Sequence, residues 1–423
     1  MYVSIFFHPK CPSAISYTHA RHTFDRALRT LPPSLHFRIW VRYLLWAESK
    51  GGETLAVVYR RYLAIDPSLS ERYSALILSK SNGTPRPLEA AKMLLSLARK
   101  AAKGEYISPE GKSPLDLLTD FTNIVENYAE EVGMDTDATD ESNAAIAEKE
   151  EEDAKIANGA AEPASINGQL IRMAGPAVSV GADGKPLPPY DPDEDPLNPR
   201  KLNIENIIKK DGLEVYKDQA GRLWAGLATY WIKRGEFDRG RETFEKGIKN
   251  VVTQRDFNQI FEAYSEFEDS LINSLMDALE DEDDDDEDKA DIEEEMDRRM
   301  KEFEELTDRR PFLLNEVLLR RNPNDVQEWE KRVALYGDDD EKAAATYTKA
   351  IETINPRKAT PNFHRLYINF AKFYEEGGAS GQAEPDLESA RKILEKATKV
   401  NFKLVEDLAE VWCEWAEMEL RHE

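Results

Sequence analysis

Residues 221–249 read GRLWAGLATYWIKRGEFDRGRETFEKGIK. The first half sets Trp224, Leu227 and Tyr230 three residues apart, and the second sets Gly240, Arg241, Phe244 and Gly247 at similar intervals. An α-helix turns once in about 3.6 residues, so side chains three or four apart share a face. The segment therefore encodes two helices, one with a bulky stripe and one whose stripe alternates small with large.

Both phrases recur. The first returns as Trp40, Tyr43, Trp46 with Glu48; Phe261, Tyr264, Phe267 with Glu268; Tyr367, Phe370, Phe373 with Glu375; and Trp412, Trp415, Met418 with Glu419, while Trp329 opens a degenerate copy. The second returns as Ala20, Arg21, Phe24, Ala27; Ala56, Tyr59, Tyr62; Ala91, Lys92, Leu95, Ala98; Ala343, Tyr347, Ala350; and Ala390, Arg391, Leu394, Ala397. Alternation of two such helices at a period of roughly 35 to 45 residues predicts an all-α superhelical solenoid of helix-turn-helix repeats. Rings fill the layer between helices, and the small residues let neighbouring helices approach. A base-stacking platform would need the rings exposed beside Arg or Lys; their neighbours here suit buried positions.

With 423 residues the chain exceeds what one compact core usually supports, which agrees with an array. Its net charge of −26, from 56 basic and 82 acidic residues, repels a phosphate backbone unless cations are segregated, so protein partners are the default expectation. Cys11 and Cys413 are the only cysteines, which points to a reducing intracellular compartment. No run reaches the roughly 18 apolar residues of a membrane span, and the apolar clump Val3, Ile5, Phe6, Phe7 lacks the other features of a signal peptide.

The phrases divide the chain. Residues 1–14 match neither of them; 15–132 carry N-terminal repeats, the later ones eroded; 201–279 and 292–423 carry the rest. Between them, 133–200 is an acidic, then Gly- and Pro-rich insert with few large apolar residues, expected to be disordered or draped on the surface. A second insert, 280–291, opens with nine consecutive acidic residues and is expected to stay extended. Pro311, Pro323, Gly337, Pro356, Gly377-Gly378 and Pro385 read as helix breaks. The array begins on a second-phrase helix and ends on a first-phrase one, the expected look of a fragment of a longer solenoid.

The phrases resemble the half-a-TPR (HAT) repeat, and Glu268 and Glu419 after the third ring favour it over the tetratricopeptide repeat. Longer stretches narrow the resemblance: Thr23 to Leu28 with Arg38-Ile39-Trp40, Gly111 to Ser113, Arg309 to Asn315, Lys331 to Leu335, Phe370 to Glu375, Ile393 to Phe402 and Glu419 to Glu423. They are similar to the Syf-one (XPA-binding protein) family of HAT-repeat pre-mRNA-splicing factors. That resemblance implies a nuclear, non-catalytic scaffold of the nineteen complex of the spliceosome, with no cofactor. It implies as partners the crooked-neck HAT protein, Syf-two, Isy-one and the Aquarius helicase, with direct RNA contact minor. A HAT scaffold of 3′-end cleavage or ribosomal RNA processing, or a direct RNA-binding protein, are the alternatives.

Little else suggests chemistry. His8, Cys11, His19 and His22 are spaced rather like zinc ligands, but the loop between them is short and the two later histidines take polar helix positions. No phosphate loop and no nucleophile with its base stands out. Three basic pairs, Arg298-Arg299, Arg309-Arg310 and Arg320-Arg321, recur every eleven residues. They read first as ion-pair partners of nearby acids such as Glu293 to Glu295, and second as a strip for RNA or an acidic partner, with Pro311 interrupting it. The acidic run reads as a solvated spacer or as a dock for a basic segment.

Overall fold

The computed structural model describes residues 13–80, 83–134, 165–166, 169–170, 191, 193–280, 286–337, 339–378 and 384–422. Helix dominates these residues. Besides one isolated bridge, the extended pairing among them is a two-residue antiparallel ladder, Ser165–Ile166 with Gln169–Leu170. The chain packs as two units, Met1–Val215 with Thr229–Glu236, and Tyr216–Ala228 with Phe237–Glu423. The second unit begins at Tyr216.

The first unit holds α1 (Ser13–Thr30), α2 (His36–Lys50), α3 (Gly52–Leu63), α4 (Ser70–Leu78), α5 (Pro87–Ala102), α6 (Pro114–Asn127), the single turn α7 (Ala129–Val132) and α8 (Ile204–Ile207). Local chemistry sets the ends. Gly51, at φ 67°, closes α2 with its N–H on the Ala47 carbonyl, a conformation that favours glycine. Ser113 and Asp116 form a reciprocal capping box on α6, with Pro114 in the first turn. Met134 N–H donates to the Leu202 carbonyl at 3.0 Å, and Leu202 N–H donates to the Val132 carbonyl at 2.9 Å. This parallel bridge brings the two roots of the insert together, so α7 and α8 meet as neighbours.

Apart from the short ladder of 165–166 with 169–170, residues 135–190 of that insert lie outside the described residues, while its last part is held in place. Residues 191 and 193–200 lie against α5 and are bound to it, the draped alternative of the two expected for the insert. Arg99 Nη1 donates to Asp191 at 2.8 Å and to Glu194 at 3.2 Å, and its Nε donates to Asp211 at 2.9 Å. Lys92, fully buried, donates to the Asn198 carbonyl at 3.0 Å. Apolar content is too low for a core here, and charge supplies the attachment instead.

Helix α9 (Gly221–Lys233) crosses the division between the units. The second unit continues with α10 (Phe237–Asn250), α11 (Gln254–Glu280), α12 (Asp286–Arg321), α13 (Val326–Tyr336), α14 (Asp340–Thr353), α15 (Phe363–Glu375), α16 (Leu387–Thr398) and α17 (Val405–His422). Asp325, Asp339 and Asp386 each accept a backbone N–H at a helix start. Gly247 leaves room for its neighbours: a Cβ there would sit 3.1 Å from the Trp224 ring and 3.2 Å from Ile260.

Helix α12 corrects the expected break at Pro311, because it runs unbroken through that residue. Proline removes one N–H and leaves the Thr307 carbonyl without its helical donor. Pro311 and Thr307 are both exposed, so water can serve that carbonyl. The two ends of the acidic run belong to helices, since α11 reaches Glu280 and α12 begins at Asp286, while residues 281–285 lie outside the described residues.

Candidate partner-binding surfaces

One pairing recurs in three copies. The second-phrase ring stacks flat on the middle ring of the following first-phrase helix: Phe24 on Tyr43 at 4.4 Å, Phe244 on Tyr264 at 4.9 Å and Tyr347 on Phe370 at 4.8 Å between centroids. Offset stacks of this kind add to the burial of each ring. Around them Trp40, Trp46, Tyr59, Trp224, Tyr230, Phe267, Trp329 and Tyr367 are buried as well. Phe373 and Trp415 are half-buried. Trp412 departs from the pattern: it is 54% exposed on α17, stacked on Trp415 at 5.5 Å.

A second link joins the same helices. Arg241 of the second phrase donates from Nε to Glu268 Oε1 at 2.7 Å, and Arg391 donates to both oxygens of Glu419 at 2.7 Å. Where α14 carries Ala344 in place of the basic residue, Glu375 is served instead by Arg421, at 2.9 Å to each oxygen, and by His422. Where α5 carries Lys92, that side chain reaches the 191–200 strap.

The three arginine pairs all lie on α12, and an eleven-residue step drifts only about 20° from three full helical turns. Their partners differ along the helix. Arg298 and Arg299 pair within α12, with Glu295 at 2.6 and 2.8 Å; Arg299 also reaches Glu302. Arg309 pairs with Glu245 of α10 at 2.8 Å, and Arg310 lies 5.0 Å from the Phe261 ring centroid. Arg320 donates to the Val251 carbonyl at 2.6 Å, closing the end of α10. Arg321 is exposed.

Beside Arg310 a groove of about 720 Å³ is lined by Phe261, Glu262, Glu266, Asp269, Asn273 and Asp277. Its carboxylates follow helical spacing on α11, a signal present in the sequence but hidden by the chain's general acidity. On α15, buried His364 lies between two carboxylates of α17, 3.1 Å from Asp407 and 2.8 Å from Glu410. Of the zinc-like set, His8 and Cys11 lie outside the described residues, while His19 and His22 are exposed on α1. Cys413 is free and exposed. The strap clamp of Arg99 was missed as well; the clustered Asp191, Asp193, Glu194 and Asp195 were its only local signal.

Comparison with known proteins places the chain in a family. Three family models match in chain order: the pre-mRNA-splicing factor Syf1/CNRKL1 N-terminal HAT repeat over residues 5–68, the SYF1 middle HAT repeat over 192–354, and the Syf1/CRNKL1 C-terminal HAT repeat over 356–423. "Pre-mRNA-splicing factor SYF1" of Mycosarcoma maydis is 49% identical across 100% of this chain, and the match covers 43% of that relative. The chain belongs to the SYF1 family. SYF1 of Aspergillus fumigatus is 40% identical over 93% of the chain, and SYF1 of Homo sapiens 36% over 96%, each match covering 38% of the relative. The chain thus spans about two fifths of the length of these SYF1 relatives. The N-terminal SYF1 match begins at residue 5, ahead of the first phrase, and residues 69–191 lie between the matched segments.

Proposed function

We propose that this chain acts in pre-mRNA splicing in the nucleus as a non-catalytic scaffold, a part of the nineteen complex that holds other spliceosomal proteins on its helix faces and edges. Membership in the SYF1 family across nearly the whole chain supports the process. The observation that carries the mechanism is the burial of the phrase rings between helices, bound by stacking and by Arg–Glu links. Rings enclosed in this way hold helices in register, and the charged faces outside them are left to partners. Those partners, on this reading, are the crooked-neck HAT protein, Syf-two, Isy-one and the Aquarius helicase, with RNA contact at the Arg298 to Arg321 row secondary.

Affinity purification from nuclear extract with cross-linking tests it. Spliceosomal proteins cross-linked to helix faces are expected. Recovery of 3′-end or nucleolar factors in their place would overturn the assignment to splicing, and tight binding of single-stranded RNA by the purified chain at physiological salt would overturn the protein-scaffold mechanism.

A further inference from the structure

The outer face of α2 carries an exposed apolar ridge among the described residues. Phe37, Val41 and Leu45, spaced four apart, are 68%, 42% and 52% exposed, and Leu31 and Leu35 extend the patch before the helix. At about 100° per residue, Arg38 and Arg42 fall one column to the side of this ridge. Both are exposed, and neither makes an ion pair among the described residues. Arg26 and Arg29 on α1 are exposed as well. Residues 13–50 hold six basic side chains and two acidic ones, in a chain of net charge −26. Both acids are already engaged, Asp25 by Arg61 and Glu48 by Arg72 and Tyr59. An exposed apolar ridge bordered by unpaired cations is unusual on so acidic a protein.

We infer that the Phe37–Val41–Leu45 face of α2 is a docking site for an acidic amphipathic helix of a protein partner. The occupant presents apolar residues at i, i+4 and i+7 to the ridge and carboxylates to Arg38 and Arg42. Charge decides between occupants. A second copy of this chain would set its own Arg38 and Arg42 against these, and like charges oppose that pairing. Single-stranded RNA would gain one ring, Phe37, while Val41 and Leu45 offer no stacking face. The inference rests on the scaffold reading and gives one partner's chemistry.

The test uses the purified full chain and two fluorescent synthetic helices with identical leucine ridges, one flanked by glutamates and one by lysines, read by anisotropy. The glutamate probe is expected to bind about tenfold tighter or more. Arg38→Glu with Arg42→Glu should reverse that preference, and Leu45→Asp should weaken the glutamate probe. All of these positions are exposed, so an unchanged thermal melt should accompany the loss. Equal affinity for both probes, a preference untouched by the Arg38→Glu/Arg42→Glu variant, a requirement for chain dimers, or displacement of the probe by single-stranded RNA would overturn the inference. If Arg38→Glu/Arg42→Glu leaves every spliceosomal cross-link in place, this site fails alone; if the unmodified chain recovers no spliceosomal protein, the scaffold reading fails first.

Discussion

Arg241 and Glu268 form a two-point ion pair between consecutive helices, with Nε 2.7 Å from Oε1 and Nη2 3.4 Å from Oε2. Glu268 is only 3% exposed, and the guanidinium also lies 5.4 Å from the Phe267 ring centroid. The equivalent pair Arg391–Glu419 has the same bidentate form in an exposed setting.

That contrast predicts unequal costs for one substitution. Arg241→Ala leaves a buried carboxylate uncompensated and should destabilise the second unit by about 3 kcal/mol. Arg391→Ala should cost less than about 1 kcal/mol, since exposed pairs contribute little. Urea unfolding of both variants gives the comparison, and equal losses would contradict the burial argument.

Acid should attack the first unit through Glu89. Burial pushes this carboxyl up, but hydrogen bonds from Arg60 and Tyr73 outweigh it and hold it below its usual range. A group depressed in the folded state contributes stability above its unfolded pKa, about 4.3, and loses it as pH falls through the lower folded value. Glu89→Gln should therefore be less stable than the parent by about 3 kcal/mol at pH 7. The gap should narrow steadily below about pH 4.3. Denaturant melts from pH 7 to pH 3 measure it.

Arg99 gathers Asp191, Glu194 and Asp211 onto α5. Arg99→Ala should release the strap and leave three carboxylates to repel one another. Hydrogen exchange at residues 193–200 should accelerate by about tenfold or more, with α2 and α3 unaffected.

Pro311 should be replaceable with gain. Pro311→Ala restores the N–H for the Thr307 carbonyl and removes the ring's crowding, so the second unit should gain about 2 kcal/mol. A raised melting temperature is the expected result.

The aromatic phrases made the helix pairs readable because burial periodicity is a local property; even the eroded helices appear where their spacing put them, as at Pro87–Ala102. Trp412 shares the phrase yet is exposed, because periodicity names a stripe and not the element that covers it. The Arg and Glu of the phrases were legible as residue types, but their pairing spans 27 positions from Arg241 to Glu268 and depends on how the helices stack. The strap escaped notice for a similar reason. Its composition excludes a hydrophobic core, and only the three-dimensional position of Arg99 turns its acids into an attachment. Pro311 was read by the usual rule for helix interiors, which exposure and the flanking helical turns override.

Because the Gly133–Leu202 bridge joins the roots of the insert and Arg99 and Lys92 hold its last part, the number of residues between Met134 and Asp191 is decoupled from the spacing of α7 and α8. Sequence can be added or removed there without re-registering the helices on either side, so the segment can evolve at its own pace while the array around it stays fixed.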